Sequence, residues 1–243
     1  MNISKHVAAG LTLVSALVVA ACSSSSDSTP AADAGADAFV PVVTGETGLN
    51  PYGVAYPSTR IGSQPRGFSK ATTPGNRIDN FVFKGTMTGN PDAVQARVPM
   101  ANFFDPESRT HKLIFVQAAG IWCTYCRQEA AAVAPNMQEL KDLGVLWLTA
   151  IIESKNAGTP ATLADLNTWY NWYEIPSPMV LDAGADKFGI LFSAASMPWN
   201  AIIDARSMEI LEAQQGASSY AQMKAKAIEW TEWQKKNPAL PAE

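Results

Sequence analysis

Apolar segments alternate along this chain with segments whose apolar residues recur at helical spacing. Residues 113–118 and 145–152 are almost wholly apolar, a pattern typical of strands that are covered on both faces of a sheet. Between them, residues 125–143 place apolar side chains at helical spacing and include Pro135, which predicts a helix with a kink. Gly144 is expected to end this helix. The centre of the chain is therefore predicted to fold as strand, helix, strand.

The alternation continues towards the C-terminus. Thr159 is expected to cap the N-terminus of a further helix, with Pro160 in its first turn. Apolar and aromatic residues recur at helical spacing from Leu163 to Tyr173. The remaining predicted elements, in chain order, are a strand at 178–181, a short helix at 185–192, a strand at 199–204, a turn at Arg206-Ser207, a paired strand at 208–213 and a terminal helix at 218–236.

The pattern is weaker in the first half of the chain. Residues 77–84 alternate in part between polar and apolar side chains and meet Gly85, which predicts an edge strand. Residues 98–104 are expected to form a short strand or turn before a loop at Asp105-Pro106. Residues 50–76 are rich in Pro, Gly and Ser and are expected to be an irregular lead-in, partly packed on the domain. The whole pattern predicts an α/β domain with a mixed central sheet flanked by helices.

The first residues have the pattern of a secretory signal peptide, which we assign to residues 1–21. Their apolar run, over residues 7–20, is shorter than the roughly 20 residues that span a bilayer, although an uncleaved membrane anchor is the alternative. Val19-Ala20-Ala21-Cys22 resembles the lipobox of bacterial lipoproteins. This resemblance implies that Cys22 is acylated and becomes the mature N-terminus, and it implies, through Ser23, sorting to the outer membrane.

A polar segment over residues 22–49 separates this leader from the domain, which we assign to residues 50–243. It contains mainly Ser, Ala, Asp, Thr, Gly and Pro, with almost nothing to bury, so we expect a disordered tether. A flexible coil of this length has a reach of roughly 28 Å, from about 5–6 Å times the square root of the residue number. The domain would therefore search near a membrane surface, facing the periplasm, where a cysteine pair can be oxidised.

Charge and ligand content exclude several functional classes. The net charge is −4 and no Lys/Arg-rich stretch stands out, so nucleic acid is not an expected partner. The chain has three cysteines and two histidines, too few soft ligands for us to expect a zinc site of four such residues. Arg127 stands where a c-type haem attachment motif needs histidine. We therefore expect neither a metal nor another cofactor.

The candidate chemistry lies at Trp122-Cys123-Thr124-Tyr125-Cys126, where the first central strand gives way to a helix. Two cysteines at this spacing can close a small disulfide ring, and a helix N-terminus favours a thiolate. Cys123 is nearer the helix N-terminus and is expected to be the more exposed, so it is the predicted nucleophile. An inert disulfide is the alternative, but so small a ring would stabilise the fold only weakly.

The order of elements, this motif and Met197-Pro198 before a late strand resemble the thioredoxin fold. Within that fold the chain looks most like the extracytoplasmic TlpA/ResA-type thiol–disulfide oxidoreductases, over roughly residues 75–236. The helix and strand between Thr159 and Leu181 correspond to the insertion of that branch, and the preceding residues form an N-terminal extension. The resemblance implies a redox-active Cys123–Cys126 disulfide, with Cys126 as the resolving thiol.

The resemblance also implies roles for residues around the pair. Pro198 matches the cis-proline that packs beside the disulfide, whereas Met197 departs from the more common Thr or Val. Glu129 lies one helical turn after Cys126, where ResA-like proteins carry a glutamate thought to tune the thiols; the alternative is an acid that complements the helix dipole. Gln117 stands where thioredoxin has a buried aspartate, so proton transfer to Cys126 would use Glu129 or water.

Several functional alternatives stay open at this point. The expected partners are protein thiols and disulfides, with an electron donor in the membrane or the periplasm, but Thr124-Tyr125 matches no familiar dipeptide and leaves the direction of electron flow open. A peroxidase of the peroxiredoxin type would want a Pro-x-x-x-Thr-x-x-Cys segment, which Ala118-Ala119-Gly120 does not supply. A non-enzymatic lipoprotein with a vestigial disulfide would use the aromatic residues from Trp169 to Tyr173 for recognition; otherwise these residues are core.

Overall fold

The computed structural model describes residues 49–193 and 196–241. The signal peptide over residues 1–21, the acylation at Cys22 and all but the last residue of the tether lie outside this range. Within the described residues, no helix has the length and apolar character needed to cross a membrane.

The described residues form a seven-stranded mixed sheet with helices packed against it, in the strand order β2-β1-β5-β4-β3-β6-β7. The strands are β1 Val82–Thr86, β2 Gln95–Pro99, β3 Leu113–Gly120, β4 Val145–Glu153, β5 Met179–Leu181, β6 Trp199–Asp204 and β7 Glu209–Gln215. The helices are α1 Thr124–Val133, α2 Met137–Asp142, α3 Leu163–Tyr173 and α4 Tyr220–Lys236.

The centre of the sheet agrees with the prediction from the apolar runs. Strand β3 is buried along its whole length and pairs in parallel with β4, which pairs in parallel with β5. Strand β6 runs antiparallel to β3 on its other side and forms a hairpin with β7. The predicted kink at Pro135 is a break: a 3₁₀ turn over Ala134–Asn136 separates α1 from α2, because proline cannot donate the helical hydrogen bond. The prediction of an α/β domain with a mixed sheet is confirmed.

The first two strands differ in their bounds from the predicted segments, and the edge position predicted for the first of them is wrong. The strand predicted at 77–84 is β1, which starts five residues later and ends two residues later, and it is not an edge strand because β2 and β5 flank it. Strand β2 starts three residues before the predicted 98–104 segment, and the rest of that segment is a 3₁₀ turn over Met100–Phe103. Strand β2 lies at the edge of the sheet, with one side open to solvent. Its first residues include the polar Gln95 and Arg97, so they do not show the apolar alternation by which a half-buried strand is predicted.

Two predicted helix features also differ from the structure. Helix α3 is capped by Thr162, not Thr159, because the Thr162 hydroxyl and the Asp165 carboxylate form a capping box across the first turn. Pro160 lies in extended backbone, in a bridge with Glu153. The short helix predicted at 185–192 is reduced to 3₁₀ turns, since the Asp182 carboxylate accepts backbone hydrogen bonds at residues 187 and 188 and holds the loop in place of helical bonds.

The lead-in packs along the outer edge of β7, as expected for a segment partly packed on the domain. Its backbone hydrogen-bonds to Ile210 and Leu211 of β7, at Arg66 and Gly67. A Cβ on Gly75 would lie 2.4 Å from the carbonyl oxygen of Ile210, so this approach requires glycine. We call residues 60–77 the strap, because they cover the edge that β7 would otherwise expose.

Candidate active site

The cysteine pair lies where β3 ends and α1 begins. Cys123 is the N-cap residue of α1, and its Sγ accepts a hydrogen bond from the Cys126 amide over 3.1 Å. A disulfide bond joins the two cysteines, whose Cα atoms are 5.3 Å apart. The peptide bond between Met197 and Pro198 is cis, as the resemblance implies. Pro198 immediately precedes β6, whose first residue Trp199 pairs with Ala118 of β3, so the proline and the cysteine motif leave neighbouring strands at the same end.

The disulfide is far less accessible than expected for an exposed nucleophile. Cys123 exposes 2% of its surface and Cys126 none, so the predicted order holds but the difference is small. Cys123 and Met197 belong to the same buried apolar cluster, and the Met197 side chain is itself buried. The thioether before the cis-proline is therefore part of the buried core.

A buried polar network surrounds Glu129, one turn after Cys126 on α1. The Oε2 atom accepts a hydrogen bond from Gln117 Nε2 over 2.6 Å. The Oε1 atom accepts hydrogen bonds from Asn200 Nδ2 over 2.9 Å and from the Ser218 amide over 2.7 Å. The same Gln117 nitrogen also donates to the Cys126 carbonyl oxygen over 3.2 Å. Gln117 therefore links the acid directly to the backbone of the second cysteine.

Burial makes the Glu129 carboxyl a weaker acid than an exposed one. The side chain exposes 2% of its surface, and this desolvation raises the pKa of its carboxyl from 4.5 to about 7, against the opposing effect of its three hydrogen-bond donors. The first turn of α1 contains no acidic residue, so the structure does not use Glu129 as a simple helix-dipole partner. A buried carboxyl that titrates near neutral pH is suited to hold and release a proton beside a thiol.

The Gln117 amide has one further property that bears on this proton. Its Oε1 atom is buried and has no hydrogen-bond partner among the described residues, although its Nε2 donates twice. If the amide turned over, Oε1 would accept a hydrogen bond from a protonated Glu129 Oε2, and the hydrogen bond to the Cys126 carbonyl oxygen would be lost. The pair can therefore satisfy either protonation state of the carboxyl.

Trp122 is held by an acid that sequence reasoning missed. Its indole Nε1 donates to Glu153 Oε2, at the end of β4, over 2.6 Å. Gly120 leaves room for the ring, since a Cβ there would lie 2.9 Å from Nε1. Asn200 and Ser218 were also missed; the one signal for Asn200 is its place opposite Gln117 in the register of β3 and β6.

The rim of the site carries exposed aromatic residues. Tyr125, between the cysteines, exposes 65% of its surface, and Trp172 of α3 exposes 46%. The Arg127 guanidinium lies 5.9 Å from the centre of the Trp172 ring, which joins α3 to the start of α1. Trp169, by contrast, is buried. The aromatic stretch of α3 is therefore partly core and partly surface, and the surface part adjoins α1.

Comparison with known proteins identifies the fold independently. The AhpC/TSA family model matches residues 90–210, about half of the chain. No curated protein matches the chain. Among solved structures, the chain resembles the reduced 2-Cys peroxiredoxin of Plasmodium vivax, with a TM-score of 0.50 and 13% identity over 68% of this chain and 100% of that one.

Two further structures are similar at comparable levels. The mitochondrial 2-Cys peroxiredoxin of Plasmodium falciparum has a TM-score of 0.50 and 11% identity over 69% of this chain and 99% of that one. A secreted thiol-disulfide isomerase of Corynebacterium glutamicum has a TM-score of 0.48 and 13% identity over 65% and 87%. The family match, the sheet topology and the Cys123–Cys126 disulfide agree. The chain is a thioredoxin-like thiol–disulfide oxidoreductase, and its residues 90–210 match the AhpC/TSA family model.

Proposed function

We propose that the protein is a membrane-tethered, extracytoplasmic enzyme that exchanges disulfides with protein substrates. The observation that carries this proposal is the Cys123–Cys126 disulfide at the N-terminus of α1. At this place the partial positive charge of the helix stabilises a thiolate on Cys123, which makes it the better nucleophile and the better leaving group. The cis-proline at Pro198 begins the neighbouring strand and supports the same proposal.

In the direction that reduces the pair, a substrate thiolate attacks Cys123 Sγ. A mixed disulfide forms between the substrate and Cys123, the Cys123–Cys126 bond breaks, and Cys126 leaves as a thiolate that takes a proton from Glu129. A second substrate thiolate then attacks the substrate sulfur of the mixed disulfide and releases Cys123 as a thiolate. Two electrons pass from the substrate dithiol to the pair, and the oxidised substrate leaves with its own disulfide. The same steps in reverse reduce a substrate disulfide.

The proposal for location rests on the first residues of the chain. The signal-like segment over residues 1–21 supports export, and the lipobox at Cys22 supports acylation. Ser23 after the cysteine supports sorting to the outer membrane. A lipid anchor on Cys22 would leave the domain facing the periplasm. There an electron donor in the membrane or the periplasm would reduce the Cys123–Cys126 disulfide. The substrates we propose are proteins with reactive thiols or disulfides, and no nucleic acid is involved.

The test is to trap the mixed disulfide. In Cys126→Ser, the resolving thiol is absent, so Cys123 should remain bound to its partners through bonds that dithiothreitol releases. The matched Cys123→Ser chain, which keeps one thiol at nearly the same place, should trap none. If Cys123→Ser traps partners and Cys126→Ser does not, the roles are reversed; if neither traps any, the proposed exchange is wrong.

Peroxide reduction is the second candidate, because the AhpC/TSA family match favours it. Against it, the residues before Cys123 do not form the Pro-x-x-x-Thr-x-x-Cys segment of that chemistry. Rapid mixing of the reduced chain with hydrogen peroxide separates the two. Disulfide exchange predicts slow oxidation at the rate of an ordinary thiol, whereas a fast, saturating reaction would favour the peroxidase.

The pKa of Cys123 distinguishes an exchange enzyme from a binding module with a vestigial disulfide. A Cys123 pKa near 8.5, the value of a free thiol, would favour such a module, with Trp172 and Tyr125 as its exposed recognition residues. Exchange predicts a pKa for Cys123 below about 7.5, as helix N-termini and Cys-x-x-Cys motifs produce.

A further inference from the structure

A cavity lies between the terminal helix α4 and the strands β6 and β7. Its volume is about 400 Å³, many times the roughly 30 Å³ that one water molecule occupies in the liquid. Phe115 and Ile202 contribute apolar surface on the sheet side, and Gln214, Gln222 and Lys226 give the cavity polar walls. A cavity with this many polar groups favours water, whereas cavities lined only by apolar side chains stay dry.

The same cavity reaches the residues that hold the Glu129 carboxylate. Asn200 and Ser218, whose N–H groups donate to Oε1, both line it. Gly216 lines it too, and its carbonyl oxygen accepts a hydrogen bond from Asn200 over 3.1 Å. The Oε1 side of the buried carboxyl therefore lies against the cavity wall, whereas Oε2 is bound by Gln117 on β3.

In the part of the chain that the structure describes, the side of Glu129 towards the cysteines is closed. Cys126, one turn before it, is fully buried, and Cys123 is almost so. A carboxyl that changes its protonation during each exchange must nevertheless recover its proton from bulk water. Among the described residues, the cavity is a partly polar space that lies one residue away from the carboxyl oxygen, on the far side of Asn200 and Ser218.

We propose that this cavity is the route by which Glu129 exchanges its proton with bulk water during disulfide exchange. The inference rests on the proposed function. When Cys126 leaves as a thiolate, the Glu129 O–H bond breaks and an S–H bond forms; the carboxylate then takes a proton from cavity water, and the hydroxide left behind is neutralised by bulk solvent. In the reverse reaction the proton leaves along the same path. Asn200 and Ser218 position the carboxyl at the wall and are not themselves protonated.

The outer wall of the cavity comes from the strap. Phe68 lines the cavity and is half exposed, and the Lys226 ammonium lies 4.7 Å from the centre of its ring. Removing this ring would widen the opening to solvent without touching the sheet. The route can therefore be narrowed by a larger side chain on β7 and widened by a smaller side chain at Phe68.

The test compares variants of Gln214, which lies opposite Asn200 in the β6–β7 ladder and donates to the Ser218 hydroxyl. Gln214→Phe should fill the cavity, and Gln214→Leu should make this wall apolar at nearly constant volume. The rate of exchange with dithiothreitol should fall at least about tenfold in Gln214→Phe, because general acid–base catalysis contributes about 10²–10⁴-fold. The solvent deuterium isotope effect should rise, and the equilibrium constant with glutathione should not change.

Two controls accompany these variants. Gln138→Phe makes the same substitution at an exposed position on α2 and should keep the wild-type rate. Phe68→Ala opens the outer wall and should also keep it or raise it. The inference is overturned if Gln214→Phe exchanges at the wild-type rate, or if Phe68→Ala slows exchange as much as Gln214→Phe does. A wild-type chain that exchanges no disulfides would overturn the proposed function itself, so the two failures are distinguishable.

Discussion

Replacing Glu129 by glutamine should stabilise the folded protein at alkaline pH and leave its stability at acid pH nearly unchanged. Burial raises the pKa of the Glu129 carboxyl from 4.5 to about 7, so the folded state favours the neutral form. The stability associated with this proton is fully present below pH 4.5 and is lost as the pH rises through 7. Above that pH the folded protein holds a carboxylate that would ionise more easily in the unfolded chain.

The magnitude follows from the shift. Each pKa unit corresponds to about 1.4 kcal/mol, so a rise from 4.5 to about 7 removes about 3 kcal/mol of stability between acid and alkaline pH. Glutamine carries no charge at either pH and escapes this loss. Its oxygen can accept the hydrogen bonds of Asn200 and Ser218, and its N–H₂ can donate to the unpartnered Gln117 Oε1 once that amide turns over.

The assay is urea unfolding of the oxidised protein, without reductant, at pH 4 and at pH 8.5. The difference in unfolding free energy between Glu129→Gln and wild type should grow by about 3 kcal/mol between the two pH values. All other titrating groups are common to both chains and cancel in the comparison. A difference that stays constant with pH would refute the reasoning, because it would mean that Glu129 titrates with its ordinary pKa in the folded protein.

Two further predictions concern groups bound to buried carboxylates. Asn200→Leu removes a donor from the Glu129 carboxylate and should raise the pKa seen in the pH dependence of disulfide exchange by about one unit or more, since a hydrogen bond to a charged group contributes about 1.5–3 kcal/mol; an unmoved inflection would contradict this. Arg66→Met leaves the buried Glu209 without its ion pair and should cost about 3–5 kcal/mol in urea unfolding. The matched Arg109→Met, which breaks the exposed pair with Glu107, should cost less than about 1 kcal/mol, and equal losses would argue against the burial-based reasoning.

Local patterns were sufficient to predict the centre of the fold. Strands β3 and β4 were visible because burial on both faces leaves an apolar run with few interruptions, and β6 was predicted with its observed ends. The break at Pro135 follows from the chemistry of one residue. At the periphery, choices between similar residues decide the outcome: Thr162 rather than Thr159 caps α3 because Asp165 completes the capping box.

The candidate site was predictable only in part. The cysteine pair is a local motif, and Glu129 follows from helical spacing. The groups that bind Glu129 are not local: Asn200 and Ser218 lie 71 and 89 residues away along the chain, and only the packing of β6 and the start of α4 against α1 brings them there. The near-complete burial of Cys123 likewise depends on how the segment around Met197 packs, which no spacing in the sequence indicates.

The strap has a consequence for how the domain can be shortened. The family match begins at residue 90, so a fragment cut at that boundary would contain the whole matched segment. Such a fragment would lose the backbone partners that Ile210 and Leu211 find in the strap, together with the Arg66 guanidinium that pairs with buried Glu209. The freed β7 edge would offer its N–H and C=O groups to the same edge of another molecule. The same cut would also remove β1, which lies between β2 and β5 inside the sheet. A fragment that starts at residue 49 keeps both the strap and β1.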